Sequence, residues 1–313
     1  KAQAQILDYT QEQVDKLVFE MAKVIYLNAE PLAKMAVEET RLGKYEDKIG
    51  KNTDTPTAFW AYLKENKSVG VIREIPEEGI IEVAHPIGVI GAVTPATNPT
   101  VTPLGNAMHA LKGKNALVIT PAPRAEKTST RTVELMREAL VKCGAPADLI
   151  QIIEEITIEK SAELMEKCDL VIATGGPGLT KAAYSSGTPA YGVGPGNPPV
   201  ILDRGYDLVD AAKKTFIAVG SENGILVDFD NLMLYPQEEE KDFFKALRDE
   251  GILIYEDKDD VEKFRAALFS NGKINSDLVG KDADVIARAA GFDIPAETKV
   301  LGLKIEGVGK GLV

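Results

Sequence analysis

Apolar residues recur along this chain in two rhythms. Between residues 11 and 42 they fall at helical spacing, at Val14, Leu17, Val18 and Met21 and then at Leu32, Met35 and Ala36, among charged neighbours. Intervals of three and four put such side chains on one helix face, so two or three amphipathic helices are expected here. A polar bridge, Lys44–Thr57, follows, and then a further helix near 56–66. The charge-rich stretch Arg73–Glu78 leads into IIEVAHPIGVI, an extended pair interrupted by Pro86.

From Gly88 onward short apolar runs alternate with longer periodic stretches. Strands are expected at 88–93, 115–120, 148–153, 169–173 and 199–202, and helices at 101–112, 127–142, 159–167, 177–186 and 207–219. The helix 127–142 repeats apolar residues at Val133, Leu135, Met136, Leu140 and Val141 and stops at Gly144 and Pro146. Such alternation predicts an α/β fold, a doubly wound parallel sheet with helices on both faces. The pattern restarts at residue 220 with strand-like GILVDFDNLMLYP, helix 237–249, strand 252–256, helices 259–269 and 281–291, and a last strand in TKVLGLKIEGVG. Two domains are therefore expected, 1–219 and 220–313.

Residues 86–123 form the centre of this arrangement, one βαβ unit of a helix packed across two parallel strands. Ligands of open α/β sheets bind beyond the carboxyl ends of the strands, so the turns Thr94–Asn98 and Pro121–Pro123 should meet at one crevice.

The blocks VTPATNPTVTP, LKGKNALVITPAPRA, ATGGPG, KAAYSSGTPAYGVGPGN and LFSNGKINSDLVGK occur in that order. Together they resemble the CoA-acylating aldehyde dehydrogenases. The likeness is to the aldehyde half of bacterial bifunctional aldehyde/alcohol dehydrogenases, and closer still to CoA-dependent succinate semialdehyde dehydrogenases. It extends from QEQVDKL at residue 11 through GKYEDKIGKN at 43 to TKVLGLK at 298. The resemblance implies an aldehyde dehydrogenase-like fold, with a dinucleotide-binding domain over 1–219 and part of an α/β catalytic domain over 220–313. It implies NAD or NADP as cofactor and CoA as co-substrate. Family members continue beyond this chain's last residue with the rest of the catalytic domain and a strand used in oligomer formation. A homo-oligomer, or a partner covering the catalytic part, is accordingly expected.

Several segments are candidates for the site. In Thr94, Pro95, Ala96, Thr97 and Asn98 the prolines stiffen the backbone and Asn98 offers a side-chain amide. Spacing alone reads Asn98-Pro99 equally as a turn initiator; by resemblance Asn98 donates to the hemithioacetal oxyanion and its neighbours line the nicotinamide ribose. The resemblance runs Pro121, Ala122 and Pro123 beside the adenosine ribose, with Ala122 where similar proteins carry histidine. Arg124 and Lys127 read as solvated helix-start charges. Thr174, Gly175, Gly176 and Gly178 join a strand end to a helix start, where glycine opens backbone N–H groups to an anion. This is not G-x-G-x-x-G, and it reads otherwise as a plain turn. The loop Tyr191–Asn197, with Gly194, is glycine-rich and should lie uncovered near the centre of the crevice. It has no carboxylate before Ile201; hydrolytic relatives place a general-base glutamate in the matching loop, so its absence fits the acylating branch.

The nucleophile block departs from the family pattern. Acylating members carry DNG-x-x-C-x-S-E-Q, and laying DNG on Glu222-Asn223-Gly224 puts Val227 at the cysteine position. Valine has no nucleophilic atom, whereas the covalent step needs a thiolate. Cys143 and Cys168 show no CxxC spacing and read as small semi-buried fillers. Ser221 has no histidine nearby in sequence, and His85 and His109 read as structural. The expectation is an inactive, nucleotide-binding relative. An active enzyme with an unrecognised nucleophile, or a non-catalytic scaffold or redesigned fragment, are the alternatives.

Composition narrows the partners. A net charge of −12 argues against nonspecific binding to nucleic acid or to anionic membrane, since both rely on basic patches. With 44% apolar and 27% charged residues the composition is that of an ordinary soluble protein. No apolar run approaches the roughly 20 residues of a membrane span, and the start at Lys1 has no signal-peptide pattern, so a reducing cytoplasm is expected.

Overall fold

The computed structural model describes residues 1–226, 229–270 and 272–307. They divide into two compact units, Lys1–Arg41 with Lys48–Pro195, and Leu42–Asp47 with Gly196–Val313. Among the described residues no helix is long and apolar enough to cross a membrane.

The first unit opens with α1 (Gln11–Leu27) and α2 (Ala29–Thr40). A capping box starts α1: Thr10 Oγ1 accepts from Gln13 N, and Gln13 Oε1 accepts from Thr10 N. The expected apolar stripe, Val14, Leu17, Val18 and Met21, is fully buried. Next comes α3 (Tyr45–Leu63), one helix with Pro56 inside it. This corrects the expected polar bridge and separate helix. Lys48, Asn52, Pro56 and Leu63 are the buried residues and share one face at helical intervals, so the stripe is real but half of it is polar. A hairpin of β1 (Gly70–Ile75) and β2 (Ile80–Ala84) follows. Arg73 lies within β1, where its guanidinium pairs with Glu82 across the hairpin, so the charge-rich stretch is partly strand.

The unit's sheet comprises β3 (Val89–Thr94), β4 (Ala116–Pro121), β5 (Ile150–Ile152), β6 (Leu170–Thr174) and β7 (Ala190–Val193). All pairings are parallel, in the order β5-β4-β3-β6-β7. The connecting helices are α4 (Val101–Lys112), α5 (Glu126–Lys142), α6 (Ile158–Lys167) and α7 (Pro177–Tyr184). The chain builds outward from β3 through β4 to β5, then returns to the other side of β3, so the direction of winding reverses between β3 and β6. Ile90, Ala92, Leu117 and Ile119 of the two central strands are buried together with Leu104, Met108, Leu111, Val133 and Met136 from α4 and α5. Near-continuous apolar strands are what a sheet covered on both faces requires.

Of the loop Tyr191–Asn197 expected to lie uncovered near the centre, Tyr191 to Val193 instead belong to the edge strand β7 (Ala190–Val193). Glycine allows this: a Cβ on Gly192 would stand 2.6 Å from Thr180 Cγ2 and 2.7 Å from Tyr184 Cε2, so only a bare backbone lets β7 lie against α7.

In the second unit β8 (Pro199–Ile201) pairs in parallel with β9 (Leu232–Leu234), and β10 (Ile252–Tyr255) with β13 (Val300–Leu303). Around them lie α8 (Leu208–Gly220), α9 (Glu240–Asp249), α10 (Lys258–Leu268), α11 (Ala283–Ala289) and the small hairpin β11 (Phe269–Ser270) and β12 (Lys273–Ile274). Phe243, Phe244, Leu247 and Ile252 are buried with Leu202, Ala212 and Val300, and Phe264 stacks on Phe292 at 5.0 Å. Strand 199–202 and helix 207–219 were expected to complete the first sheet. They do not, because β8 pairs with β9 and α8 shares its core with α9. The units therefore part at Pro195 and Gly196, where the sequence reading divides the chain at 219 and 220.

One buried ion pair joins α1 to α4. The Lys112 ammonium, on a side chain only 5% exposed, meets Asp15 Oδ1, which also accepts from Gln11 Nε2 at 3.0 Å. Removing one partner of such a pair strands the other charge, so Asp15→Ala should cost about 2–4 kcal/mol in denaturant unfolding, against less than about 1 kcal/mol for breaking an exposed pair such as Lys34 with Glu38.

Candidate functional site

Four of the five strands of the first sheet end in segments singled out above, all at its carboxyl edge. Thr94 of β3 stands opposite Pro121 of β4, Val93 opposite Ala173 of β6, and Thr174 opposite Val193 of β7. The ends are tied beyond the ladders: Ala122 N donates to Thr94 O and Gly175 N to Val193 O, each at 3.0 Å. Thr94, Pro95, Ala96, Thr97 and Asn98 are thus brought beside Pro121, Ala122 and Pro123 on one flank and Thr174, Gly175, Gly176 and Gly178 on the other. Gly194 follows the edge strand.

The turn after β3 is held from α3. Lys48 Nζ donates to Thr97 O at 3.2 Å, and Lys51 Nζ donates to Asn98 Oδ1 at 2.8 Å. Asn98 O accepts from Thr102 N, which starts α4. With its carbonyl oxygen engaged, half-buried Asn98 presents Nδ2 as the donor side of its amide. Sequence reasoning missed both lysines, because a buried stripe containing Lys48 and Asn52 carries no apolar period; the available signal was the recurrence of Lys48, Asn52 and Pro56 every fourth residue.

Two buried hydroxyls mark adjacent strand ends. Thr94 and Thr120 are each 1% exposed, and neither Oγ1 has a hydrogen-bond partner among the described residues. A buried polar group left unpaired is costly, so its position is informative.

The helix starts at this edge differ. At α7 the N-cap is Gly176, no side chain caps it, and Pro177 occupies the first turn. Gly176 and Gly178 are exposed, and a Cβ on either would meet nothing within 4 Å. At α5, by contrast, Glu39 fills the N-terminus: Lys127 N donates to Oε1 at 2.7 Å, and Thr128 N and Oγ1 donate to Oε2 at 2.8 and 2.6 Å. An anion approaching this edge finds α7 open and α5 closed.

Val227 and Asp228 lie outside the described residues. Just before them Glu222, Asn223 and Gly224 all have positive φ, at 49°, 55° and 66°. For non-glycine residues this costs of order 1–3 kcal/mol each and needs compensation. Glu222 N donates to Asp47 Oδ2 at 2.7 Å, and Asn223 Nδ2 to Gly280 O and Asp282 Oδ1 at 3.0 and 3.1 Å. Ser221 Oγ is turned back onto Ile217 O at 2.7 Å, as a helix-end hydroxyl rather than a nucleophile. His109 Nδ1 lies 2.7 Å from Gly105 O and its ring sits edge-on to Phe59, a structural role; His85 is exposed in the connection after β2. Cys143 and Cys168 end α5 and α6 as their C-caps. Burial pushes both thiols up from their ordinary value. Among the described residues no three His, Cys, Asp or Glu side chains form a group that could hold a metal.

Residues 1–224 match the profile of the aldehyde dehydrogenase family. A succinate-semialdehyde dehydrogenase (acetylating) of Clostridium kluyveri is 49% identical over 99% of this chain and 68% of its own length. A crystal structure of an acetylating aldehyde dehydrogenase from Geobacillus thermoglucosidasius superposes with a TM-score of 0.96 at 36% identity, covering 99% of this chain and 69% of that one. An engineered glycolyl-CoA reductase with bound NADP+ superposes with a TM-score of 0.85 at 28% identity, over 96% and 69%. The chain spans about two thirds of its curated relatives, 68%, 63% and 66% of three of them.

Raised thiol values leave little thiolate near neutrality. Iodoacetamide at pH 8 should alkylate both cysteines more slowly than it does a free thiol in the unfolded chain, and the rate should climb above pH 9. Fast labelling of either cysteine in the folded protein at pH 7 would contradict this environment.

Proposed function

The chain belongs to the aldehyde dehydrogenase family, and on that premise we propose that it binds NAD or NADP at the carboxyl edge of the five-stranded sheet and has lost the covalent chemistry of the acylating branch. The observation that carries this reading is the exposed, uncapped helix start at α7, which follows β6 at the carboxyl edge of the sheet. Such a helix start fits a dinucleotide, its backbone N–H groups facing the pyrophosphate. The nicotinamide ring, when bound, supplies the hydride acceptor or donor. This chain's own residues bind and orient. The Nδ2 of Asn98, held by Lys51, would donate to an oxygen gaining negative charge, a contact worth roughly 3 kcal/mol where a reaction occurs.

Catalysis stops at Val227 on this reading. The acylating reaction converts an aldehyde and CoA to an acyl-CoA by way of a cysteine thiolate, with NAD(P)+ taking the hydride to become NAD(P)H and a proton released. The alignment offers valine there, and neither Cys143 nor Cys168 is poised as a thiolate. The loop Tyr191–Ile201 offers no carboxylate to activate water in its place. Two cysteines unpaired in a disulfide suit a reducing cytoplasm. Self-association is also proposed: the hairpin β1 and β2 exposes Val71, Ile72, Ile80, Ile81 and Val83, and a two-stranded hairpin is marginal alone in water.

NAD or NADP at millimolar concentration should raise the melting temperature by ligand linkage, and an unchanged melting curve with both would refute the cofactor site. Purified protein should show neither CoA-dependent aldehyde oxidation nor acyl-CoA reduction; sustained turnover would overturn the assignment of Val227. Light scattering should give a mass above the monomer, lowered by replacing Ile81 and Val83 with lysine, whereas a monomer at micromolar concentration would dismiss the hairpin as an association surface.

A further inference from the structure

Resting on the dinucleotide reading, we propose that Glu39 sets the choice of dinucleotide, accepting the ribose 2′-hydroxyl of NAD and repelling the 2′-phosphate of NADP. In doubly wound folds the adenosine ribose is read where the second strand ends, by an acid for a free hydroxyl or by a cation for a phosphate. Here that strand is β4, and its continuation Pro121-Ala122-Pro123 has no hydrogen-bonding side chain. The acid arrives from the last turn of α2 instead. α5 has no side-chain cap of its own, and the Glu39 carboxylate takes that place on Lys127 and Thr128.

The stoichiometry of that contact decides what else the carboxylate can do. Oε2 accepts two hydrogen bonds and is saturated; Oε1 accepts one, from Lys127 N. One acceptor site therefore remains on Oε1. A ribose hydroxyl can donate to it. A phosphate ester, largely deprotonated at neutral pH, has no proton to give and meets a fixed negative charge at a helix start whose N–H groups are already used. The nearby cations do not reverse this. Arg124 Nη2 donates to Thr40 O at 3.0 Å, so part of its guanidinium is already engaged by the backbone. Lys127 is flanked by Glu126 in sequence, and its backbone N–H is already given to Glu39.

The test is calorimetric titration of the full chain with NAD, NADP, 5′-AMP and adenosine 2′,5′-bisphosphate. NAD is expected to bind about tenfold or more tighter than NADP, with 5′-AMP and the bisphosphate in the same order. Glu39→Gln, which keeps an acceptor but removes the charge, should narrow the NAD to NADP ratio severalfold. A cap that is only structural would lower the melting temperature of Glu39→Gln and leave the ratio where it was, and that result overturns the proposal. So does equal affinity, or a preference for the 2′-phosphate, in the unchanged chain. The AMP pair decides the matter if the variant does not fold. Failure of all four ligands to bind would bring down the dinucleotide reading and this inference together, whereas binding without discrimination would remove this inference alone.

Discussion

Strand β3 is hydrogen-bonded to a parallel neighbour on each side, β4 and β6, and the carboxyl edge of the first unit's sheet follows from that pairing. Parallel neighbours cannot be joined by tight turns, so each connection crosses a face of the sheet and returns to the opposite end. All carboxyl ends therefore share one edge, and the winding reverses there between β3 and β6. Thr94–Asn98 and Thr174–Gly178 meet at that point because they continue the two strands on either side of it.

Topology places these segments, but polar contacts from the N-terminal helices give them their orientation. Lys48 and Lys51 hold the turn after β3, and Glu39 closes the start of α5. The result is an edge with one helix start filled from within the chain and another open, and with an amide whose acceptor side is engaged. A third amino-terminal helix, α1, is tied to α4 through Asp15 and Lys112. The amino-terminal region thus contacts the carboxyl edge as well as the core.

Elements whose packing is apolar were legible in the sequence. The helix at 101–112 was read to the residue and the strands β3, β4 and β6 to within one, because buried strands and amphipathic helices write their periods into the chain. The α3 helix was not legible, since its inward face mixes Lys48 and Asn52 with Pro56. Nor was β7, whose exposed, glycine-containing segment lacks an apolar run. β8 was seen as a strand, yet its partner could not be known: a short apolar strand does not encode which sheet it joins. That the segments after β3, β4 and β6 lie at one edge was legible from the alternation of strands and helices. Glu39 and Lys51 were not, because their roles arise between residues 88 and 47 positions apart in the chain.

The central claim is that the chain keeps a dinucleotide edge without a sulfur to work beside it. Its most direct test is a crystal structure of the chain with NAD bound. The account predicts pyrophosphate oxygens on the backbone N–H groups at Gly176 and Gly178, and no cysteine sulfur within about 4 Å of the nicotinamide ring. A dinucleotide bound elsewhere, or Cys143 or Cys168 lying against that ring, would contradict it.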